Sequence, residues 1–187
     1  MKNSSLMRLT ISALLIAVGI IIPMISPFKI VLEPASFTLA SHVAIFIAMF
    51  ISPGMAATVA AGTTIGFFLG GFPIVVVFRA ASHIIFAAAG ALYLQRVKRA
   101  SSCSAVELRV FSSIIAMIHA ICEVIVTSLF YFTGSMGTTY YQQGFITSIL
   151  LLVGVGTVVH SMIDFEIAHI VKFALKNQIN IEELLVK

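Results

Sequence analysis

The sequence predicts an all-α membrane protein, a single domain over residues 1–187 with six transmembrane helices and both termini in the cytoplasm. The first observation is composition: 60% of the residues are hydrophobic and 10% are charged, whereas a soluble domain carries about 25% charged residues. The second is that six apolar segments fit into 187 residues at about 20 residues per crossing. The third is that the basic residues collect on one side of the predicted bundle. Together these observations exclude a soluble protein.

Proline, glycine and charged residues separate the six apolar segments, and such residues break or end helices. The segments are residues 9–26, 38–51, 55–69, 73–94, 110–132 and 145–173. The first follows a short basic start, as a signal peptide does. No A-x-A cleavage site follows it and five more apolar segments do, so we expect a retained helix. Two outer loops are predicted: "PFKIVLEPASF", whose prolines at 27 and 34 forbid a continuous helix, and the polar stretch "TGSMGTTYYQQG".

Lysine and arginine indicate which side of the bundle faces the cytoplasm. If the N-terminus is cytoplasmic, six crossings also place the linker after the fourth segment and the C-terminus inside. Nine of the eleven basic residues lie in these three places: Lys2, Arg8, Arg96, Lys98, Arg99, Arg109, Lys172, Lys176 and Lys187. Cytoplasmic loops carry an excess of Lys and Arg, so this orientation is predicted. The net charge of +4 is therefore mostly a topology signal and needs no nucleic-acid partner.

Arg79 lies inside an apolar segment, "GGFPIVVVFRAASHIIFAAAG". A guanidinium stays protonated, and at mid-membrane depth it costs roughly 3 kcal/mol. A helical rise of 1.5 Å per residue puts Arg79 roughly 9 Å and Glu123 about 14 Å from the outer ends of their helices. His83 follows Arg79 by one turn, and His42 lies near the outer end of the second segment. We therefore predict a polar pocket in the outer half, although a structural Arg79–Glu123 ion pair among core histidines would give the same pattern.

Two further His–carboxylate pairs stand four residues apart, His119 with Glu123 and His160 with Asp164. The second pair is expected near the cytoplasmic end of the last helix, in an interfacial role. Such pairs can bind zinc, but H-E-x-x-H is absent and no cysteine pair accompanies the histidines. We therefore expect no metal, no catalytic residue and no enzyme. A proton-coupled carrier that uses these four residues as a relay is an alternative, and an intramembrane enzyme is a weaker one.

Two helices carry small residues at a spacing of four. Gly62, Gly66 and Gly70 repeat on the third segment, and Ala13 and Ala17 lie on the first. Such stripes allow close helix packing in membranes. The glycine stripe is expected to serve packing within the chain.

The six short helices, the proline-broken first outer loop and the A-x-x-x-A of the first helix resemble the S components of energy-coupling factor (ECF) vitamin transporters. The stretches "PASFTLASHVAIFIAMFISPG" and "GTTIGFFLGGFPIVVVFRAASH" are similar to the S component assigned to niacin. The resemblance implies a substrate-capture subunit of the bacterial plasma membrane. Such a subunit binds a vitamin from outside, and it releases the vitamin inward when it is docked on a transmembrane T component driven by two ATPases.

Several residues take expected roles from this resemblance. Ala13 and Ala17 match the motif that contacts the T component, and residues 27–37 match the lid over the site. No G-x-x-x-x-G-K-[ST] motif occurs in the chain, so ATP is expected to be hydrolysed by the partner subunits.

Nicotinate suits the predicted pocket because it is a small planar acid. The Arg79 guanidinium can hold its carboxylate with two parallel hydrogen bonds. Its ring nitrogen can accept a hydrogen bond from His42, from His83 or from a protonated Glu123.

Aromatic side chains are expected to cover the ring of the ligand. The candidates are Phe37, Tyr140 and Tyr141, although the two tyrosines suit an interfacial aromatic belt equally well. A pyridoxine-like or pyrimidine compound is the alternative substrate on the same scaffold.

Overall fold

The computed structural model describes residues 2–32, 35–98 and 104–175, and these are helical except for one β-hairpin and short connections. In chain order the elements are α1 (Lys2–Ile25), β1 (Lys29–Leu32), β2 (Ala35–Thr38), α2 (Val43–Ile51), α3 (Pro53–Leu69), α4 (Ile74–Lys98), α5 (Ala105–Phe132), α6 (Thr138–Phe145), a π-helical segment (Ile146–Val155) and α7 (Gly156–Leu175).

Four helical stretches are long and apolar enough to span a membrane: Ser5–Ile25, Ile74–Val97, Ala105–Phe132 and Thr138–Ala174. The other two predicted segments form shorter helices, α2 and α3. At nine residues, α2 is about 13.5 Å long, less than half of a hydrocarbon core of about 30 Å. The all-α membrane class is confirmed, and six full crossings and the positions of the termini remain predictions.

The break between α2 and α3 is a single residue, Ser52. Its backbone is extended, with φ −162° and ψ 156°, and its side chain accepts a hydrogen bond from the Met55 amide. Pro53 follows at the first helical position, where a missing amide proton costs nothing. Ser52 therefore ends α2 and caps α3 within one residue.

The first predicted loop is instead an antiparallel β-hairpin between α1 and α2. Lys29 pairs with Thr38 and Ile30 with Phe37, while the Leu39 amide donates to the Phe28 carbonyl at 2.9 Å. The prolines at 27 and 34 prevent a helix, as expected, but they leave enough amides for two short strands. Residues 33 and 34 and the side chains of residues 30–36 lie outside the described part of the chain. The role of the hairpin as a lid stays a prediction.

The prediction of the second loop is also wrong in part, because residues 138–145 form the short helix α6. Tyr141 holds this helix in place: its hydroxyl donates to the Tyr131 carbonyl at 3.1 Å and accepts from the Met136 amide at 3.2 Å. The polar residues of this stretch carry no apolar period, so the pattern gives no sign of a helix. Gly144 kinks the end of α6, with φ +79° and ψ 162°, and from there the chain continues through the π-helical segment into α7.

The short helix α2 lies at the centre of the bundle. Eight of its nine residues are buried, and they pack against α1, α3, α4 and α7. On α3 two of the three glycines of the predicted stripe serve internal packing, since a side chain at Gly62 or Gly66 would collide with Ile16 or Ile20 of α1. Gly70 ends α3, and a side chain there would meet only the Gly66 carbonyl and Phe72. The opposite face of α1, including Ala13 and Ala17, is exposed.

Candidate substrate-binding site

A cavity of about 240 Å³ opens at the hairpin end of the bundle. It is bounded by the hairpin and by α1, α3, α4, α5, α7 and the start of α2. Its lining residues are Pro23, Lys29, Phe37, Thr38, Ser41, His42, Ile45, Thr63, Phe67, Phe72, Pro73, Val76, Arg79, Ala80, His83, Glu123, Thr157 and His160. Drug-sized ligands occupy pockets of about 300–1,000 Å³, so this cavity suits a smaller molecule, such as a single substituted ring.

Arg79 and Glu123 form an ion pair across the wall of the cavity. The Nη2 of Arg79 donates to the Oε2 of Glu123 at 2.7 Å, and the two side chains are 16% and 3% exposed. The buried Nε–H of Arg79 has no hydrogen-bond acceptor among the described residues. An unsatisfied buried donor costs about 1–3 kcal/mol. Arg79 also lines the cavity, so its guanidinium lies beside this space with one N–H that has no acceptor among the described residues.

Glu123 has further side-chain partners on two other sides. The Nε2 of His83 lies 3.2 Å from its Oε1, and the hydroxyl of Thr157 donates to its Oε2 at 2.8 Å. His119, one turn earlier on α5, places its Nε2 3.5 Å from Oε1, without the geometry of a hydrogen bond. Side chains from α4, α5 and α7 thus converge on one carboxylate.

Asp164 is the second buried carboxylate, at 0% exposed. Its Oδ1 accepts from the Ala40 amide at 2.7 Å, and its Oδ2 accepts from the His42 amide at 2.9 Å. The Nδ1 of His42 and the Nε2 of His160 lie 3.0 and 3.3 Å from Oδ2. The expectation that His160 and Asp164 sit at a solvated interface is therefore wrong, because both join the site through His42.

Ala40 has a left-handed backbone conformation, with φ +68°. This region is strained for a residue other than glycine. The hydrogen bond from its amide to Asp164 stabilises the turn between β2 and α2, and this turn positions His42.

Four histidines cluster around this turn. The ring centroid of His42 lies 4.8 Å from that of His83, 4.7 Å from that of His119 and 5.0 Å from that of His160. The Ser41 hydroxyl lies 3.2 Å from His42 Nδ1 and 3.0 Å from His160 Nε2. Among the described residues, two sets of three side chains bring metal-ligating atoms within 4.8 Å of one another: His42 with His83 and His119, and His42 with His160 and Asp164.

Most of the predicted substrate-binding residues meet in this cavity. Arg79, His83, His42, Glu123 and Phe37 all line it. The ring of Phe37 also contacts the ring of His160, with centroids 5.5 Å apart.

The two predicted tyrosines lie outside the lining of the cavity, but the side chain of Tyr140 still interacts electrostatically with Arg79 and Glu123. Neither Tyr140 nor Tyr141 lines the described cavity, because α6 directs the Tyr141 hydroxyl to the end of α5. The Tyr140 carbonyl accepts from the Ser148 hydroxyl at 2.8 Å.

Several residues of the site give no functional signal in the sequence. Lys29 lies at the cavity and adds a second cation. In the sequence it is noticeable only as one of the two basic residues outside the predicted cytoplasmic segments. Thr157, Ser41 and Ser161 supply hydroxyls to Glu123 and to the histidines. Serine and threonine are common in membrane helices, so only their contacts distinguish them.

Comparison with known proteins supplies a relative of this chain. No family model and no solved structure matches it. It is 40% identical over 168 residues to the niacin transporter NiaX of Lactococcus lactis subsp. cremoris (strain MG1363), an alignment that covers 89% of this chain and 73% of the relative. With its long apolar helices, the chain is a multi-pass protein of the cell membrane. It belongs to the family of the niacin transporter NiaX, and its resemblance to the niacin-type S components is confirmed.

Proposed function

We propose that this chain is the substrate-capture subunit of an ECF-type importer, and that it binds nicotinate from outside in the cavity next to Arg79. The observation that carries the proposal is the buried Arg79 guanidinium, which uses Nη2 for Glu123 and leaves its Nε–H without an acceptor among the described residues. A ligand carboxylate would complete the hydrogen bonding of this group. The relative named a niacin transporter supports the choice of substrate.

The other cavity residues fit the rest of a nicotinate molecule. Phe37 and Phe67 present aromatic surface to a planar ring, and His42 and His83 carry nitrogens on the same wall. Lys29 is exposed and lies at the cavity, where it attracts an anion without the desolvation cost of a buried charge.

The direct test compares nicotinate with nicotinamide on the purified chain by isothermal titration calorimetry. The amide has the same ring and almost the same shape, but it cannot supply the charge that pairs with Arg79. We expect about a hundredfold tighter binding of the acid, equivalent to about 2.7 kcal/mol. Equal affinities would remove Arg79 as the carboxylate partner. If neither compound binds, the niacin assignment fails, and a pyridoxine-like or pyrimidine ligand becomes the next candidate.

Delivery across the membrane is proposed to require a T component and two ATPase subunits, with ATP hydrolysed by those partners. The exposed face of α1 around Ala13 and Ala17 is the proposed docking surface, because small side chains let another helix approach closely. Ala17→Trp should abolish uptake by the complete transporter and leave nicotinate binding by the isolated chain intact. Ile121→Trp, on an exposed face of α5, is the matched control. Equal loss of binding and uptake in Ala17→Trp would make Ala17 an internal packing residue.

A proton-coupled carrier is the second candidate function. The observation that favours it is that each of two helices carries a close His–carboxylate pair in the site, His119 with Glu123 on α5 and His160 with Asp164 on α7, as a proton relay would need. The carrier and the S component differ in their source of energy. Uptake by cells that express this chain should require the co-expressed partner subunits. Concentrative uptake by the chain alone, dissipated by a protonophore, would replace the S-component proposal with the carrier.

A further inference from the structure

We propose that His42, His83 and His119 bind one divalent first-row transition-metal ion, such as Zn²⁺, at the inner end of the cavity. In a second step, which rests on the proposed function, the ring nitrogen of nicotinate completes the coordination of that ion. The three histidines come from the start of α2, from α4 and from α5.

The geometry is that of a three-histidine metal site with one position open. The three ring centroids lie 4.7 to 4.8 Å from one another, and one nitrogen of each ring lies within 4.8 Å of the others. Zn–N bonds are about 2.0–2.1 Å, so nitrogens on one ion lie at most about 4.2 Å apart. Small side-chain rotations close the remaining gap. His42 and His83 line the cavity, so the open position would face the ligand.

The outer partners of two histidines leave their Nε2 atoms directed at the proposed ion. His42 is held through Nδ1 by Asp164 at 3.0 Å, and His119 is held through Nδ1 by Ser161 at 3.2 Å. Metal-bound histidines nearly always have such a partner on the second ring nitrogen. The Nε2 of His119 is buried in a side chain that is 0% exposed, and it has no hydrogen-bond partner among the described residues. Its nearest carboxylate oxygen, Oε1 of Glu123, lies 3.5 Å away without the geometry of a hydrogen bond. This unpaired nitrogen is independent of the spacing of the rings and also points to a ligand.

Charge balance favours a divalent cation at this position. The buried charged groups of the site, within the described residues, are Arg79, Glu123 and Asp164, one positive and two negative. A bound nicotinate would add another negative charge in a poorly solvated cavity. A divalent ion would bring the buried charge to zero, and this avoids the large penalty of an uncompensated buried charge.

The other set of three side chains, His42 with His160 and Asp164, is a weaker candidate. Both oxygens of Asp164 already accept backbone amides, from Ala40 and His42. The Nε2 of His160 lies 3.0 Å from the Ser41 hydroxyl. A metal there would have to displace these contacts. In the favoured set the Nε2 of His119 has no described hydrogen bond to lose, and His83 would either bind the ion through Nδ1 or give up its 3.2 Å contact with Glu123.

The ion is tested with Co²⁺ added to the chelator-treated, detergent-purified full chain, because tetrahedral Co²⁺ absorbs in the visible range. We expect one equivalent to bind with visible bands that Zn²⁺ removes. His119→Ala should weaken binding about a hundredfold, and Ser161→Ala, which keeps all three ligands, about tenfold. His169→Ala is the matched control, because His169 packs on Phe50 away from the cluster, with ring centroids 6.3 Å apart. His160→Ala tests the second set of three side chains, and it should weaken Co²⁺ binding much less than His119→Ala does.

Three outcomes would overturn the proposal: no stoichiometric Co²⁺ binding by the wild-type chain, equal binding by wild type and both the His119→Ala and Ser161→Ala variants, or loss in His160→Ala in place of His119→Ala.

Nicotinate binding is then measured with the Zn²⁺-loaded and the metal-free chain. We expect at least tenfold tighter binding with Zn²⁺, and no such gain for benzoate, which lacks the ring nitrogen. Equal nicotinate affinities would overturn the second step alone. Metal binding without any nicotinate binding would refute the proposed function and leave the metal site in place.

Discussion

Glu123 and Asp164 are both buried carboxylates of one site, but they have different kinds of partner. Glu123 is held by side chains, those of Arg79, His83 and Thr157. Asp164 accepts two backbone amides, from Ala40 and His42, in addition to histidine nitrogens. Side chains can change rotamer when a ligand arrives, whereas backbone amides are fixed by the fold. The comparison indicates that Asp164 builds the site and that Glu123 can exchange partners with a ligand.

The largest expected effect comes from replacing each carboxylate by an amide of the same shape, in Asp164→Asn and in Glu123→Gln. Each oxygen of Asp164 accepts a hydrogen bond from a backbone N–H. Whichever oxygen the NH₂ group of asparagine replaces in Asp164→Asn, it therefore points a donor at a backbone donor. In Glu123→Gln the NH₂ group can face His83, whose ring nitrogen can accept in the appropriate tautomer. We expect Asp164→Asn to lower the free energy of unfolding by about 3 kcal/mol. Glu123→Gln should lower it less, because Arg79 is 16% exposed at the cavity and keeps contact with solvent when its charge partner is lost. Thermal unfolding in detergent measures both.

Glu166→Gln is the control for that comparison, since Glu166 lies two residues after Asp164 on an exposed position of α7. Its unfolding midpoint should match that of the wild type. If Glu123→Gln is as destabilising as Asp164→Asn, the distinction between the two carboxylates is lost.

Arg79→Lys sharpens the comparison on the ligand side. An ammonium can pair with Glu123, but it cannot offer a second planar pair of donors to an incoming carboxylate. We expect nicotinate binding to weaken between ten- and a hundredfold, about 1.4 to 2.7 kcal/mol, with a smaller change in thermal stability. Calorimetry measures the affinity, and Arg109→Lys, at an exposed position of α5, is the control. Unchanged affinity in Arg79→Lys would mean that charge alone, and no bidentate contact, is needed.

The smallest expected effect concerns the aromatic wall of the cavity. A Cβ at Gly156 would lie 2.5 to 3.3 Å from three ring atoms of Phe37, so Gly156→Ala should displace this ring. Nicotinate binding, measured by calorimetry, should weaken about fivefold, about 1 kcal/mol. Gly154→Ala is the matched control because its Cβ would meet only a methyl of Val124 at 3.2 Å and the Ile149 carbonyl oxygen at 3.6 Å. Equal affinities in the two variants would show that Phe37 does not shape the ligand site.

The sequence predicted the charged part of the site because charges are rare in an apolar background. Arg79, His83 and Glu123 could be placed at similar depths from helical rise alone, and the structure brings them together. His42 was also placed correctly in the pocket, although the hairpin before it was not predicted. Each strand has only four residues, which is too short a pattern to separate a strand from a loop.

His160 and Asp164 were misplaced because their depth was counted along a regular α-helix. The ten residues of Ile146–Val155 are π-helical, and a π-helix takes more residues for each turn than an α-helix. The residues after it, including His160 and Asp164, therefore lie closer to the outer end of the helix than a count of residues along an α-helix indicates. In addition, the hairpin brings His42 inward to meet them, a tertiary effect that no local pattern carries.

The π-helical segment also sets the rotational phase of everything that follows it. Thr157, His160, Ser161 and Asp164 all lie downstream on α7 and all face the site. Each residue of an α-helix turns the chain by about 100°. Removal of a single residue between 146 and 155 would rotate all four polar side chains together, away from Glu123 and the histidines and toward the lipid. The length of this one segment is therefore as strongly constrained as the identity of the polar residues, although none of its own side chains lines the described cavity.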